Sequence, residues 1–218
     1  MNTPDELAQA FRKRPLNANK RTVGTVAVIG GSTHYAHAPV IAGLGARSAG
    51  AGLVQLVVPD ASRIAAGALL PEATFLKLSV SNLPPRADVT VVGMGLGIGK
   101  TSEMIVSRLL SGATGRFVVD ADALSILASR HGLIDGYDHG KGLELVLTPH
   151  EGEAARLLGW QVEQVASDRL AAAQAIVERY GATVVLKGAH TLVVSSDGSR
   201  VYENQAGNPF MAPVFLCA

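Results

Sequence analysis

Short β-branched runs alternate along the chain with Ala-rich stretches of helical spacing. Strands are predicted over Val23–Ile29, Leu53–Val58, Ala73–Leu78, Val89–Val92, Phe117–Val119, Leu143–Leu147, Thr183–Leu186 and Thr191–Val194. Several are apolar at nearly every position, as in Val89, Val91 and Val92 or in Phe117, Val118 and Val119. Such runs suit strands covered on both faces of a parallel sheet. Helices are predicted over Pro39–Ser48, Thr101–Leu110, Ala123–Ser129, Glu151–Leu158 and Ser167–Tyr180. In the last, Leu170, Ala173, Ile176, Val177 and Tyr180 recur at helical spacing, with Ser167 as the expected N-cap and Gly181 as the stop. Alternating strands and helices imply right-handed crossovers and a doubly wound, mostly parallel α/β sheet. The stretch Thr183–Glu203 departs from that rhythm: successive short strands and a turn at Ser196-Asp197-Gly198 predict an antiparallel meander on the sheet edge. Ser81-Asn82-Leu83-Pro84-Pro85 reads as a loop within one domain.

Composition narrows the class. Of 218 residues, 48% are hydrophobic and only 17% charged, which favours a well-buried core over disorder. Nineteen basic and 18 acidic side chains leave a net charge of +1, so no strong field draws the chain to nucleic acid or an anionic membrane. The basic cluster Arg12, Lys13, Arg14, Lys20 and Arg21 reads as a solvated N-terminal arm over 1–22. The single cysteine, Cys217, permits no intrachain disulfide, and a reducing compartment is the default. With no signal-like start and no apolar run of about 18 residues, the expectation is a soluble cytoplasmic protein without a membrane partner.

The chemistry-bearing residues fall where predicted strands end, which is where ligands bind in open α/β sheets. Gly30-Gly31-Ser32 ends the first strand, followed by Tyr35 and Ala38-Pro39 at a helix start. Glycines there permit a tight βα turn and a close ligand approach. Gly93-Met94-Gly95-Leu96-Gly97-Ile98-Gly99-Lys100-Thr101 forms a second glycine-rich loop. It is not a P-loop, which needs four residues between its first glycine and Gly-Lys-Thr, whereas five follow Gly93 and three follow Gly95. The dinucleotide fingerprint fails as well, because counting from Gly95 places Lys100 at the third glycine position.

Asp120-Ala121-Asp122 closes an apolar strand, and its two carboxylates point the same way if extended geometry persists; Asp122 also suits the N-cap of the next helix. In Thr148-Pro149-His150-Glu151-Gly152-Glu153 a histidine opens a helix with carboxylates in its first turn. A lone histidine is usually structural, but at this strand end it is placed to meet a ligand. Lys187-Gly188-Ala189-His190-Thr191 offers a phosphate-seeking ammonium or simply a solvated lysine. Gly207-Asn208-Pro209 is a late polar turn. No metal-ligand spacing links the six histidines.

In this order the segments resemble the ribokinase-like ADP/ATP-dependent NAD(P)H-hydrate dehydratases, a domain often fused to an epimerase partner. The likeness spans roughly residues 19–212, within a domain set at 23–212. It implies dehydration of the S form of hydrated NADH or NADPH with ADP or ATP as co-substrate and Mg2+ beside it. The hydroxyl is phosphorylated and then lost as phosphate. By motif position, Ala38, Gly97 and His150 would contact the hydrated nicotinamide nucleotide. Lys187, Gly188, Ala189, His190 and Thr191 would border the adenine nucleotide, with Asp122 and Asn208 near the reacting phosphates.

Two departures stand out. Glu151 occupies a position where the family usually has proline. After Met211-Ala212 the family continues into Thr-Gly-Gly-Thr-Gly-Asp and further helices, whereas this chain continues Pro213-Val214-Phe215-Leu216-Cys217-Ala218, a divergent tail over 213–218. Those glycines would form an anion hole and that aspartate would act as base. No catalytic residue is therefore assigned. The expectation is an incomplete ribokinase-like domain lacking its C-terminal helices, with an exposed edge that invites homo-oligomerisation. The alternatives are a ribokinase-like small-molecule kinase and a non-catalytic nucleotide-binding fragment or pseudoenzyme.

Overall fold

The β-branched runs pair edge to edge into one mixed sheet. The computed structural model describes residues 16–19, 22–111, 113–130, 132–134 and 142–204. Among them are the strands β1 (Thr25–Ile29), β2 (Leu53–Val58), β3 (Thr74–Lys77), β4 (Val89–Val92), β5 (Gly115–Val119), β6 (Leu143–Leu147), β7 (Thr183–Leu186), β8 (Thr191–Val194) and β9 (Val201–Asn204). Their order is β3-β2-β1-β4-β5-β6-β7-β8-β9. Pairing is parallel from β3 across to β7, then antiparallel for β8 and β9, as the meander predicted.

Helices α1 (Ala38–Ser48), α2 (Asp60–Leu69), α3 (Lys100–Leu110), α4 (Asp122–Ser129), α5 (Glu151–Leu158), α6 (Val162–Ser167) and α7 (Arg169–Tyr180) flank the sheet. One face buries Val28, Val54, Leu56 and Val58 beneath α1 and α2. The opposite face buries Ile29, Val57, Val92, Phe117, Val119, Leu147 and Leu186 beneath α3 to α7. Alternation along each strand produces this division, since successive side chains point to opposite faces. On the first face, beyond α1 and α2, the half-buried Val118, Val146, Val185 and Val193 belong to neither cluster among the described residues.

The helices differ from expectation in two stretches, 162–180 and 60–69. The helix predicted over Ser167–Tyr180 begins at Arg169, because Asp168, with φ of −144° and ψ of 81°, is not helical, and Ser167 instead ends the separate helix α6. Asp168, rather than Ser167, is the N-cap, and its carboxylate accepts the Ala171 N–H at 2.9 Å. A carboxylate at the N-cap meets an orphan amide and the positive helix end together. The second is α2, which the sequence reading did not predict and whose fully buried face consists of two small residues, Ser62 and Ala66. It forms because Ser62 and Ala66 pack onto the sheet. The arm over 1–15, Asn208 and the tail over 213–218 lie outside the described residues.

The chain reverses direction across the sheet between β1 and β4: β2 and β3 extend one way, β5 to β9 the other. That switch point separates the loops following β1 and β4 at their carboxyl ends, where doubly wound sheets bind their ligands.

Candidate active site

Five loops leave the carboxyl ends of β1, β4, β5, β6 and β7 and are tied to one another by backbone bonds. Gly31 N–H donates to Met94 O at 2.9 Å, Asp120 N–H to Val92 O at 3.0 Å, Thr148 N–H to Val119 O at 3.1 Å, and Lys187 N–H to Pro149 O at 2.8 Å. Each loop therefore inherits its position from the rigid sheet beneath it.

The β1 and β4 loops meet at the switch point. A Cβ on Gly95 would lie 2.5 Å from Tyr35 Cβ and 3.1 Å from Ala38 Cβ, so Ala38 and the glycine loop are in contact. Gly93 has φ of +125°, and a Cβ there would lie 1.9 Å from Asp120 O. Only glycine lets β4 turn this close to the β5 loop. Gly97, by contrast with Gly93 and Gly95, has open space: nothing lies within 4 Å of a Cβ built there. Its N–H donates to Asp122 Oδ2 at 2.7 Å, which anchors the glycine loop to the start of α4.

The two aspartates of the β5 loop do not point the same way. Ala121 stands between them with φ of 51° and ψ of −122°, a positive φ unusual for a residue with a side chain. This break in extended geometry turns Asp122 toward Gly97 and Asp120 toward β7. Asp122 is the first residue of α4 and not its cap; Ala121 holds the N-cap position. Backbone strain of this kind costs of order 1–3 kcal/mol and concentrates at functional sites. Asp120 Oδ1 accepts both the Ala121 N–H at 2.9 Å and the Lys187 ammonium at 2.7 Å.

His150 serves first as a helix cap. Its Nδ1 accepts from Gly152 N–H at 3.0 Å and Glu153 N–H at 3.3 Å, while Glu153 Oε2 accepts the His150 N–H at 2.8 Å. This reciprocal capping box fixes the ring and its tautomer, because a nitrogen that accepts two bonds carries no proton. The proton of the neutral ring is therefore on Nε2, 3.5 Å from Glu153 Oε1, and the side chain is 43% exposed. His150 thus combines a structural role with an outward donor.

Lys187 is engaged and not free. Its Nζ lies 2.7 Å from Asp120 Oδ1 and 3.7 Å from Glu153 Oε2, with side-chain exposures of 27%, 25% and 3% for Lys187, Asp120 and Glu153. Two carboxylates around one ammonium leave the trio with a net charge of −1. Thr191 Oγ donates to Gly188 O at 3.0 Å, and His190 Nδ1 lies 3.2 Å from Glu203 Oε1. Arg169, which sequence reasoning passed over, donates to Leu186 O, Lys187 O and His190 O beneath the same segment. Nothing in its position, one residue past a helix cap, announces that role.

The structure thus brings Ala38, Gly97, Asp122, His150 and Lys187–Thr191 to one edge of the sheet. Among the described residues, no group of three or more His, Cys, Asp or Glu side chains could hold a metal ion, and no helix is long and apolar enough to cross a membrane.

Comparison with known proteins identifies the family to which this fold belongs. The NAD(P)H-hydrate dehydratase family model matches residues 26–213. The chain is 41% identical over 213 residues to the ADP-dependent (S)-NAD(P)H-hydrate dehydratase of Neisseria meningitidis, covering 93% of this chain and 68% of that protein. It is 35% identical over 207 residues to the bifunctional NAD(P)H-hydrate repair enzyme Nnr of Gloeobacter violaceus, covering 91% of this chain but only 39% of the relative's length. The crystal structure of the ADP/ATP-dependent NAD(P)H-hydrate dehydratase from Bacillus subtilis, co-crystallised with ATP and Mg2+, superposes with a TM-score of 0.84 at 26% identity, over 96% of this chain and 74% of that one. A ribokinase-like sheet, the loops at its switch point and a family match over most of the chain agree: this chain belongs to the NAD(P)H-hydrate dehydratases.

Proposed function

We propose that this chain uses ADP or ATP to dehydrate the S form of hydrated NADH or NADPH, returning the reduced dinucleotide. The observation that carries this reading is the meeting of the Asp120-Ala121-Asp122 turn with both flanking subsites. Asp122 holds Gly97 on one side and Asp120 holds Lys187 on the other. A turn tied to both loops is placed to sit between the two ligands.

The dinucleotide lies at the switch point, where Ala38 and Gly97 present small surfaces and His150 offers its Nε2–H. The adenine nucleotide lies along Lys187, Gly188, Ala189, His190 and Thr191. Because Asp120 and Glu153 already surround the Lys187 ammonium, its charge is held at a fixed point instead of sweeping solvent. Such preorganisation favours one phosphate position over others. The transferred phosphoryl then faces Asp122; Asn208, assigned beside it by motif position alone, lies outside the described residues. The hydroxyl oxygen of the hydrate takes the terminal phosphoryl group, releasing AMP from ADP or ADP from ATP, and gives up its own proton to solvent. Its C–O bond breaks with loss of phosphate, and the neighbouring ring carbon gives up a proton as the double bond returns.

Magnesium enters this reading with the nucleotide. The described residues supply no three-ligand cage, and Mg2+ is commonly held by phosphates, water and one or two carboxylates. An epimerase partner, which would supply the S form, fits the bifunctional relatives, of whose length this chain spans about two fifths.

The test is incubation of the chain with hydrated NADPH, ADP and magnesium while following reduced-nicotinamide absorbance. ADP-dependent recovery is expected. Soluble, folded chain that restores no absorbance while binding both nucleotides would sink the catalytic reading. Formation of a stable phosphorylated product would indicate a small-molecule kinase instead.

A further inference from the structure

Arg169 is the first residue of α7, and its side chain is only 19% exposed. Its Nη1 donates to His190 O at 2.6 Å, and its Nη2 donates to Leu186 O at 3.2 Å and Lys187 O at 3.0 Å. Its Nε lies 3.0 Å from Glu151 Oε1. Three carbonyls from the two ends of the β7–β8 loop thus converge on one planar cation, a geometry a guanidinium can serve and a point charge cannot. Gly188 leaves room for this approach, since a Cβ there would lie 2.5 Å from Nη2 and the guanidinium would have to shift.

This arrangement fixes what the loop presents on its other side. With the carbonyls turned onto Arg169, the N–H groups of Gly188, Ala189 and His190 donate to no acceptor among the described residues. All three residues are exposed. Successive unpaired amides form a concavity suited to anions, and the half-buried guanidinium beneath them, itself paired with Glu151, holds that concavity in shape. Lys187 is likewise held by two carboxylates, so the amides are the groups of this loop left to face an anion. Glu151 directly follows His150, so the same guanidinium also ties this loop to the helix start that carries the histidine.

We propose that Arg169 is the positioning residue of the site: it presets the backbone of Lys187–Thr191 for the phosphates of the adenine nucleotide and holds that segment in register with His150. The proposal rests on the nucleotide reading above. Rigid presentation removes an ordering cost that binding would otherwise carry.

The test is calorimetry on the full 218-residue chain, with ADP probing the nucleotide side and NADPH the dinucleotide side. Arg169→Gln is expected to weaken ADP by at least about tenfold while leaving NADPH affinity within about twofold, as loss of charge-assisted bonds to one loop requires. Arg169→Lys recovers part of the loss, since an ammonium can reach one or two of the carbonyls. Gly188→Ala, which keeps the cation but displaces it, weakens ADP in the same direction and serves if Arg169→Gln fails to fold. Folded Arg169→Gln or Gly188→Ala chains that bind ADP like the wild type would overturn the proposal. So would equal loss of ADP and NADPH, which marks a merely structural role. Ala189→Trp separates the two levels: it should block ADP. If it does not, the nucleotide assignment itself fails and the Arg169 proposal with it.

Discussion

Replacing Lys187 by methionine keeps the length of the side chain and removes its charge from between Asp120 Oδ1 at 2.7 Å and Glu153 Oε2 at 3.7 Å. Breaking a fully buried pair by deleting one partner costs about 3–5 kcal/mol. Here the cost is smaller for two reasons. Lys187 and Asp120 are each about a quarter exposed, so water screens part of the interaction. Both carboxylates also retain backbone donors, Ala121 N–H for Asp120 and His150 N–H for Glu153. A loss of about 2 kcal/mol follows, equivalent to a fall in Tm of about 4–8 °C for a domain of this size. Urea denaturation at neutral pH measures it, and a cycle with Asp120→Asn isolates the pair. The expected coupling is about 1 kcal/mol or more, well above the scatter of independent sites. Repeating the measurement with saturating ADP adds a functional reading. The wild type should gain about 2.7 kcal/mol at a hundredfold excess over Kd, and Lys187→Met should gain less. A variant within about 0.3 kcal/mol of the wild type, with additive single changes, would refute the reasoning.

The remaining predictions address the other loops. His150→Asn should keep the cap of α5, since asparagine is among the best N-caps, and hold stability within about 0.5 kcal/mol, whereas His150→Ala should lose about 1 kcal/mol. Both should weaken NADPH binding, and an asparagine variant that bound it normally would remove the ring from recognition. Gly93→Ala forces a methyl to 1.9 Å from Asp120 O at φ of +125°, so overpacking and backbone strain together should cost about 3 kcal/mol or more, read as a lower denaturation midpoint. In the β8–β9 turn the Ser195 hydroxyl, followed by the Ser199 amide and hydroxyl, lowers the Asp197 carboxyl from 3.8 to about 2. A folded value below the unfolded one stabilises the turn above pH 3.8, and that contribution is lost as pH falls from 3.8 to about 2. An NMR titration placing Asp197 near its ordinary value would contradict the hydrogen bonding described.

Sequence by itself determined the layers and the strand ends at which the candidate site residues lie. Strands buried on both faces need continuous apolar runs, so Val89–Val92 and Leu143–Leu147 announced themselves with correct bounds, and the turn at Ser196-Asp197-Gly198 marked the antiparallel edge. The glycines and charged residues at strand ends were legible because a parallel sheet gathers its carboxyl ends at one edge. Local signals failed where neighbours along the chain compete. Ser167 and Asp168 are both suitable N-caps, so the start of α7 was placed one residue early, and α2, which buries only Ser62 and Ala66, offered no large apolar side chains to mark it. The tertiary structure alone decided who meets whom. Lys187 reaches Asp120 across 67 positions of chain, and Asp122 reaches back 25 to Gly97. The same folding turned His150 Nδ1 inward as a cap and gathered three carbonyls onto Arg169. Residue type sets what a side chain can bond. Its partner is set by which strand ends the sheet order brings together, and that order is a property of the whole chain.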